Sequence, residues 1–276
     1  MLDEYLKSNL AWWDEAAVLH PTTALYDLDG FRRGAESLTT IERDELGPLV
    51  GEGTTLLHLQ CHLGLDTLSW ARRGATVTGV DFSGKAVEAA RRLADDVGLS
   101  RRARFVQSNV YEVPQVLDGQ FDVVFSSWGV LIWLDDLERW AEVVARYVRP
   151  GGVFYLAEFH PVFFLIDVED RPDELRLTHP YFHEREPHRW DEPGSYADRQ
   201  ADMRATVTYE WQHGLGEIVT PLLRRGLRFD FLHEFPCTHG FESPVLERRD
   251  DGWQHIKGGR DDIPLSFSLK MTKEAP

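Results

Sequence analysis

The chain has 276 residues, 42% hydrophobic and 28% charged, enough apolar material for one large packed α/β domain. Lys and Arg number 30 against 46 Asp and Glu, a formal charge of -16. A surface that acidic repels phosphate backbones and anionic lipid, which argues against a nucleic-acid substrate and against a membrane partner.

Residues 1–50 read as a polar helical segment. Tyr5, Asn9, Trp12, Trp13 and Ala16 fall on one side of a helix. Trp12 and Trp13 lie about 100° apart around it, so at most one points fully inward. Asp3 and Glu4 stand where a signal peptide needs basic residues, and no run of about 18 apolar residues occurs anywhere. A cytoplasmic location is expected, and the two cysteines, Cys61 and Cys237, fit a reducing compartment. Thr39, Thr40 and Glu42 open a second helix, which Gly47 and Pro48 close.

From 53 to 159 strand and helix alternate. Strands are expected at 54–60, 76–81, 103–107, 121–126 and 153–157. Helices are expected at 66–73, after Ser83 and after Asp135 or Asp136. That rhythm builds a parallel sheet covered by helices on both faces. Residues 160–211 break it with His, Pro, Asp and Arg. A helix over 212–225 and strands at 227–235 and 264–272 follow, the two strands pairing antiparallel around an excursion at 236–262. The expected organisation is a helical cap over 1–50 and a domain over 51–276 with insertions at about 160–211 and 236–262.

In such a sheet the ligand crevice lies at the carboxyl end of the first strand. Here that turn is Gln60-Cys61-His62-Leu63-Gly64, followed by a helix. The second strand ends in Asp81, whose carboxylate can accept both hydroxyls of a ribose; the pairing points to a nucleoside-containing cofactor. No GxGxxG and no P-loop glycines are present, so a cofactor without phosphates suits the turn better than a dinucleotide. S-adenosylmethionine is such a ligand.

The motifs carry this further. LLHLQCHLG, GVDFS, SNVYEVP, FDVVFSSWGVLIWL and VRPGGVFYLAEF together resemble the class I S-adenosylmethionine-dependent methyltransferases. The resemblance implies a Rossmann-like, doubly wound, seven-stranded sheet, mostly parallel with an antiparallel final strand. It implies that Asp81 holds the ribose, Phe82 lies against the adenine, Asn109 and Val110 read its edge, and Gln60, Cys61, His62 and Gly64 take the methionine part. Ser126 to Trp128, with Ser127 among the cofactor contacts, line the floor beside the methyl group. Four departures stand out: His58 replaces an acidic residue, Gln60 and His62 replace glycines, and Asn109 replaces a common Asp.

Methyl transfer needs an in-line approach, exclusion of water and removal of a proton from an OH or NH nucleophile. Glu158 and His160, at the carboxyl end of strand five, are the candidate bases. Trp13, Tyr26, Trp128 and Trp133 can face the sulfonium, since aromatic rings attract cations. Tyr26, Trp128, Trp133 and Tyr181 are assigned to the acceptor side. His179, His183 and His188 complete no recognised ligand pattern, so no metal is expected. The reading is methyl transfer to a small, partly apolar or aromatic molecule, with a homodimer kept as an option. An NAD-dependent oxidoreductase and a non-catalytic cofactor-binding protein are the rivals.

Overall fold

A computed structural model describes residues 2–166, 175–240 and 243–275. Residues 167–174 and 241–242, parts of the two expected insertions, lie outside the described residues. The chain opens with helices α1 (Leu2–Leu19), α2 (Leu28–Arg32) and α3 (Thr40–Glu45). Thr39 caps α3 through a reciprocal box, its hydroxyl accepting from the Glu42 amide and Glu42 Oε2 accepting from the Thr39 amide at 2.7 Å.

The alternating region follows as β1 (Thr55–Leu59), α4 (Leu65–Arg72), β2 (Thr76–Asp81), α5 (Gly84–Asp96) and β3 (Ala103–Gln107). Next come the short α6 (Val113–Val116), β4 (Phe121–Ser127), α7 (Leu137–Tyr147) and β5 (Val148–Phe159). The caps are the expected ones. Ser83 accepts from the Ala86 amide, and Asp136 accepts from the Arg139 amide. Ala86, Val87, Ala90, Leu93 and Ala94 form the buried stripe of α5 at helical spacing.

The second half adds a hairpin of β6 (His188–Asp191) and β7 (Val207–Glu210), then α8 (Leu215–Arg224) and β8 (Leu227–Phe235). A small ribbon of β9 (Leu246–Arg248) and β10 (Gln254–Ile256) precedes β11 (Ser266–Lys273). The main sheet has seven strands in the order β3-β2-β1-β4-β5-β11-β8. All run parallel except β11, which is antiparallel to both neighbours. The winding direction reverses between β1 and β4, so the crevice opens at their carboxyl ends.

α1 closes that end. It packs on α5 and on β7. The Asn9 amide acts as a strand neighbour to β7: its Nδ2 donates to the Tyr209 carbonyl and its Oδ1 accepts from the Tyr209 amide, both at 2.8 Å. Glu15 accepts from the amides of Arg204 and Ala205. Trp12 is buried and Trp13 half-buried, as their angular separation requires.

Candidate active site

The turn after β1 keeps a glycine-like path with larger residues. Gln60, His62 and Gly64 have φ of 60°, 47° and 75°. The left-handed region costs an L residue about 1–2 kcal/mol. Only at Gly64 is a side chain barred as well, because a Cβ there would lie 2.6 Å from the Phe105 ring. Hydrogen bonds hold the other two residues. Gln60 Nε2 donates to the Val130 carbonyl at 2.9 Å, and the His62 amide donates to Asp81 Oδ2 at 2.8 Å.

Asp81 also accepts from the Ser83 amide through Oδ1 at 2.9 Å. Burial pushes its pKa up to about 6 against these two bonds. Both carboxylate oxygens keep a lone pair for a further donor. The carboxylate opens on a cavity of about 1280 Å³. Every residue assigned above to the cofactor lines it: Gln60, Cys61, His62, Gly64, Asp81, Phe82, Asn109, Val110, Ser127 and Trp13. Tyr26, Trp128 and Trp133 line it too. Asn109 Oδ1 is used by the Tyr111 amide at 3.0 Å, so Asn109 turns its amide NH2, a donor, to any ligand.

Three expected residues are not brought there, and these assignments are corrected. Glu158 is buried, and its two oxygens accept the amides of Gly129, Val130, Leu131 and Phe159. It ties the loop after β4 to the end of β5 and has no lone pair left for a substrate proton. His160 Nδ1 accepts from the Val162 amide at 3.1 Å, which leaves its Nε2–H to donate to Glu234 at 2.9 Å; both ring nitrogens are used away from the cavity. Tyr181 packs on Gly214, and its hydroxyl accepts from the Leu215 amide at the start of α8.

Other residues join the site without a signal in the sequence. His20 is fully buried and neutral, its pKa driven down to about 3 by burial. Its Nε2 meets Ser195 Oγ at 3.1 Å and its Nδ1 meets His62 Nε2 at 2.8 Å. Ser195 Oγ already accepts the amides of Ala197 and Asp198, so its proton goes to His20 Nε2. His20 then carries its hydrogen on Nδ1 and donates to His62, whose own hydrogen sits on Nδ1. Tyr26 stacks on His20 with ring centroids 4.8 Å apart, and its hydroxyl bonds that of Tyr196. Thus α1, the segment after it and the insertion meet above the turn. His239 meets Trp128 edge-on at 4.3 Å on the cavity wall and is kept neutral by burial, with a pKa of about 4. His58 is neutral as well, its Nδ1 bonded to Thr67 Oγ1 at 2.8 Å.

The described residues fit a nucleoside cofactor with an amino-acid tail. A carboxylate with spare lone pairs, Asp81, stands on the cavity wall at the end of β2. Gln60 Oε1 and His62 Nδ1 are buried polar atoms of the turn without hydrogen-bond partners. Carboxylates on the cavity wall outnumber guanidiniums, which are Arg139 and Arg199 alone, and no lysine lines it. That wall suits a sulfonium and an ammonium and disfavours a pyrophosphate.

These features define a Rossmann-like protein with a crevice for a phosphate-free nucleoside. Residues 57–156 match the family described as "Methyltransferase domain". The ubiquinone biosynthesis O-methyltransferase of Methylobacterium sp. (strain 4-46) is 31% identical over 154 residues, 53% of this chain and 57% of that protein. The enzyme of the same name from Psychrobacter cryohalolentis is 29% identical over 182 residues, covering 62% and 69%. The chain thus spans just over half of the first relative's length. A crystal structure of an S-adenosylmethionine-dependent methyltransferase from Mesorhizobium loti superposes with a TM-score of 0.57 at 18% identity, covering 87% of this chain and 99% of that one. Residues 57–156 therefore form a methyltransferase domain, within the fold that S-adenosylmethionine-dependent methyltransferases share. Among the described residues no helix is long and apolar enough to cross a membrane.

Proposed function

We propose that the protein transfers a methyl group from S-adenosylmethionine to an oxygen or nitrogen of a small, partly apolar or aromatic molecule. The observation that carries this reading is the cavity itself. At about 1280 Å³ it exceeds the roughly 300–1,000 Å³ that one drug-sized ligand occupies. It runs from Asp81 and Phe82, past the turn, to a wall that includes Trp128, Phe159, Phe163 and Trp190. One end suits adenosine and the other a flat apolar acceptor. The relatives named as O-methyltransferases support an oxygen acceptor.

The cofactor, when bound, supplies an electrophilic methyl carbon on a sulfonium leaving group. Asp81 would accept from the ribose hydroxyls. Phe82 would lie against the adenine, and Asn109 and Val110 would read its edge. Trp13, Tyr26, Trp128 and Trp133 would supply aromatic faces to the positive centre, worth about 0.5–2 kcal/mol. Glu158 acts indirectly: by holding the amides of 129–131 it fixes Trp128 and the acceptor floor. The N-terminal segment 1–50 and the insertion act as a cap, through the Ser195–His20–His62 chain and the Tyr26–Tyr196 bond, and exclude water.

Calorimetric titration with S-adenosylhomocysteine and, in parallel, NAD tests the reading. Micromolar binding of the first alone is expected. A panel of small phenols and amines is then assayed for methylated product by mass spectrometry. Binding of NAD, or of neither nucleoside, overturns the proposal.

A further inference from the structure

The methionine end of the cofactor carries an ammonium, and its counter-charge is not the residue the motif leads one to expect. His58 stands where the resemblance implies an acid, and it is buried and neutral. A carboxylate has nevertheless been returned to the same corner from α4. Ser127 Oγ, at the end of β4, donates to Asp66 Oδ2 at 3.1 Å and lies 3.5 Å from His58 Nε2. We infer that Asp66 binds the α-ammonium of the cofactor's amino-acid part, an inference that rests on the cavity being the S-adenosylmethionine site.

The other cavity carboxylates are committed or distant. Asp81 faces the ribose position. Asp27 Oδ1 caps α2 by accepting the Gly30 amide, and Glu36 is paired with Arg73 at 2.6 Å. Asp135 accepts the Tyr111 hydroxyl on the adenosine side, beside Glu112, while Glu192 and Glu210 belong to the hairpin of the insertion. Asp66 alone sits between the turn and the end of β4. Its bonds are two hydroxyls, Ser37 Oγ at 2.6 Å and Ser127 Oγ, and among the described residues no lysine or arginine is paired with it. Each carboxylate oxygen keeps acceptor capacity after one hydroxyl bond.

Two neighbouring features ask for the same ligand. Gln60 Nε2 is spent on the Val130 carbonyl, and Gln60 Oε1 is a buried acceptor without a donor. An ammonium brings three donors and a positive charge, which matches a carboxylate and an amide oxygen better than water or a hydroxyl does. Behind Asp66, the fully buried Glu42 has its pKa raised to about 8, first by burial and then by the charge of Asp66. Burial pushes Asp66 up as well, so the two acids disfavour being ionised together, and an ammonium beside Asp66 offsets that cost.

The experiment compares two ligands by calorimetry on the full chain. One is S-adenosylhomocysteine; the other is its deaminated analogue, which keeps the carboxylate and lacks the α-amino group. Wild-type protein should bind the analogue at least tenfold more weakly. Asp66→Asn should bind S-adenosylhomocysteine at least tenfold more weakly than wild type, yet bind the analogue as wild type does. Equal affinity of the wild type for the two ligands overturns the inference without any variant being made. An Asp66→Asn loss that is the same for both ligands overturns it too, since it marks a structural role. If wild type binds neither ligand, the reading of the cavity as the cofactor site fails, and this inference with it; if it binds both alike, only the role of Asp66 falls.

Discussion

The carboxyl ends of β2 and β5 each bury a carboxylate, and the two ends serve opposite purposes. Asp81 accepts two amides and keeps lone pairs toward the cavity; Glu158 accepts four amides and keeps none. Burial raises the pKa of both. What separates a carboxylate open to a ligand from a bracing one is therefore how much of its acceptor capacity the backbone has taken, a quantity that burial and position at a strand end do not reveal.

The most damaging change should be Glu158→Gln. An amide NH2 would face donors, leaving amides of the 129–131 loop buried and unpaired. A loss on the order of 3–5 kcal/mol is expected in chemical denaturation. A loss below about 1 kcal/mol would erase the contrast between the two strand ends.

Asp81→Asn should behave in the opposite way. Affinity for S-adenosylhomocysteine should fall by about 1–3 kcal/mol, the range for a bond to a charged acceptor. The empty protein should lose less than Glu158→Gln does, since only one amide, that of His62 or Ser83, is left facing an NH2 and the cost of keeping a carboxylate titrating near 6 ionised is relieved. The sign follows from linkage. With the folded pKa raised from 3.8 to about 6, this group's contribution to stability is greatest with the proton on and declines as pH rises through that window. Affinity for the nucleoside should move the other way, weakening as pH falls through about 6. Calorimetry and thermal melts from pH 5 to pH 8 on wild type and variant check both slopes; parallel slopes would mean Asp81 braces rather than binds.

The smallest effect is expected beside Asp81. Gln60→Gly and His62→Gly relieve left-handed strain of about 1–2 kcal/mol each. They also give up side-chain bonds, worth about 0.5–1.5 kcal/mol apiece, so net stability should change by less than about 1 kcal/mol. A loss above roughly 2 kcal/mol in either would show that these side chains, rather than the backbone path, hold the turn.

The parallel sheet was legible because its signals are local. Ser83 and Asp136 cap where their spacing says, and β2, β3 and β8 keep the expected bounds. The hairpin β6–β7 was not legible. His188–Asp191 and Val207–Glu210 are short and mostly polar, and β7 is braced by the Asn9 side chain, about 200 residues away. On the cofactor side, Asp81 and the turn could be placed by strand order alone. The bases could not. Glu158 and His160 occupy a plausible strand end, but the amides and the Glu234 carboxylate that claim them come from other segments. Asp66 was hidden by its setting, an acidic residue in a first helical turn, where such residues are common for dipole reasons alone.

The cap has a consequence for how the chain is made. His20 finds Ser195 across 175 positions, and Asn9 finds Tyr209 across 200. At translation speeds of about 5–20 residues per second, α1 waits roughly 10–40 s for its partners to emerge from the ribosome. Throughout that interval Trp12 and Trp13 lack part of their cover, while the alternating strands and helices between 55 and 159 already have their own neighbours. Loop closure over such a span is also among the costliest this chain undergoes. The segment that seals the cavity is thus synthesised before the sheet it covers and fitted after it, so that slow assembly, chaperone engagement and the first steps of unfolding should all converge on the seam between α1 and β7.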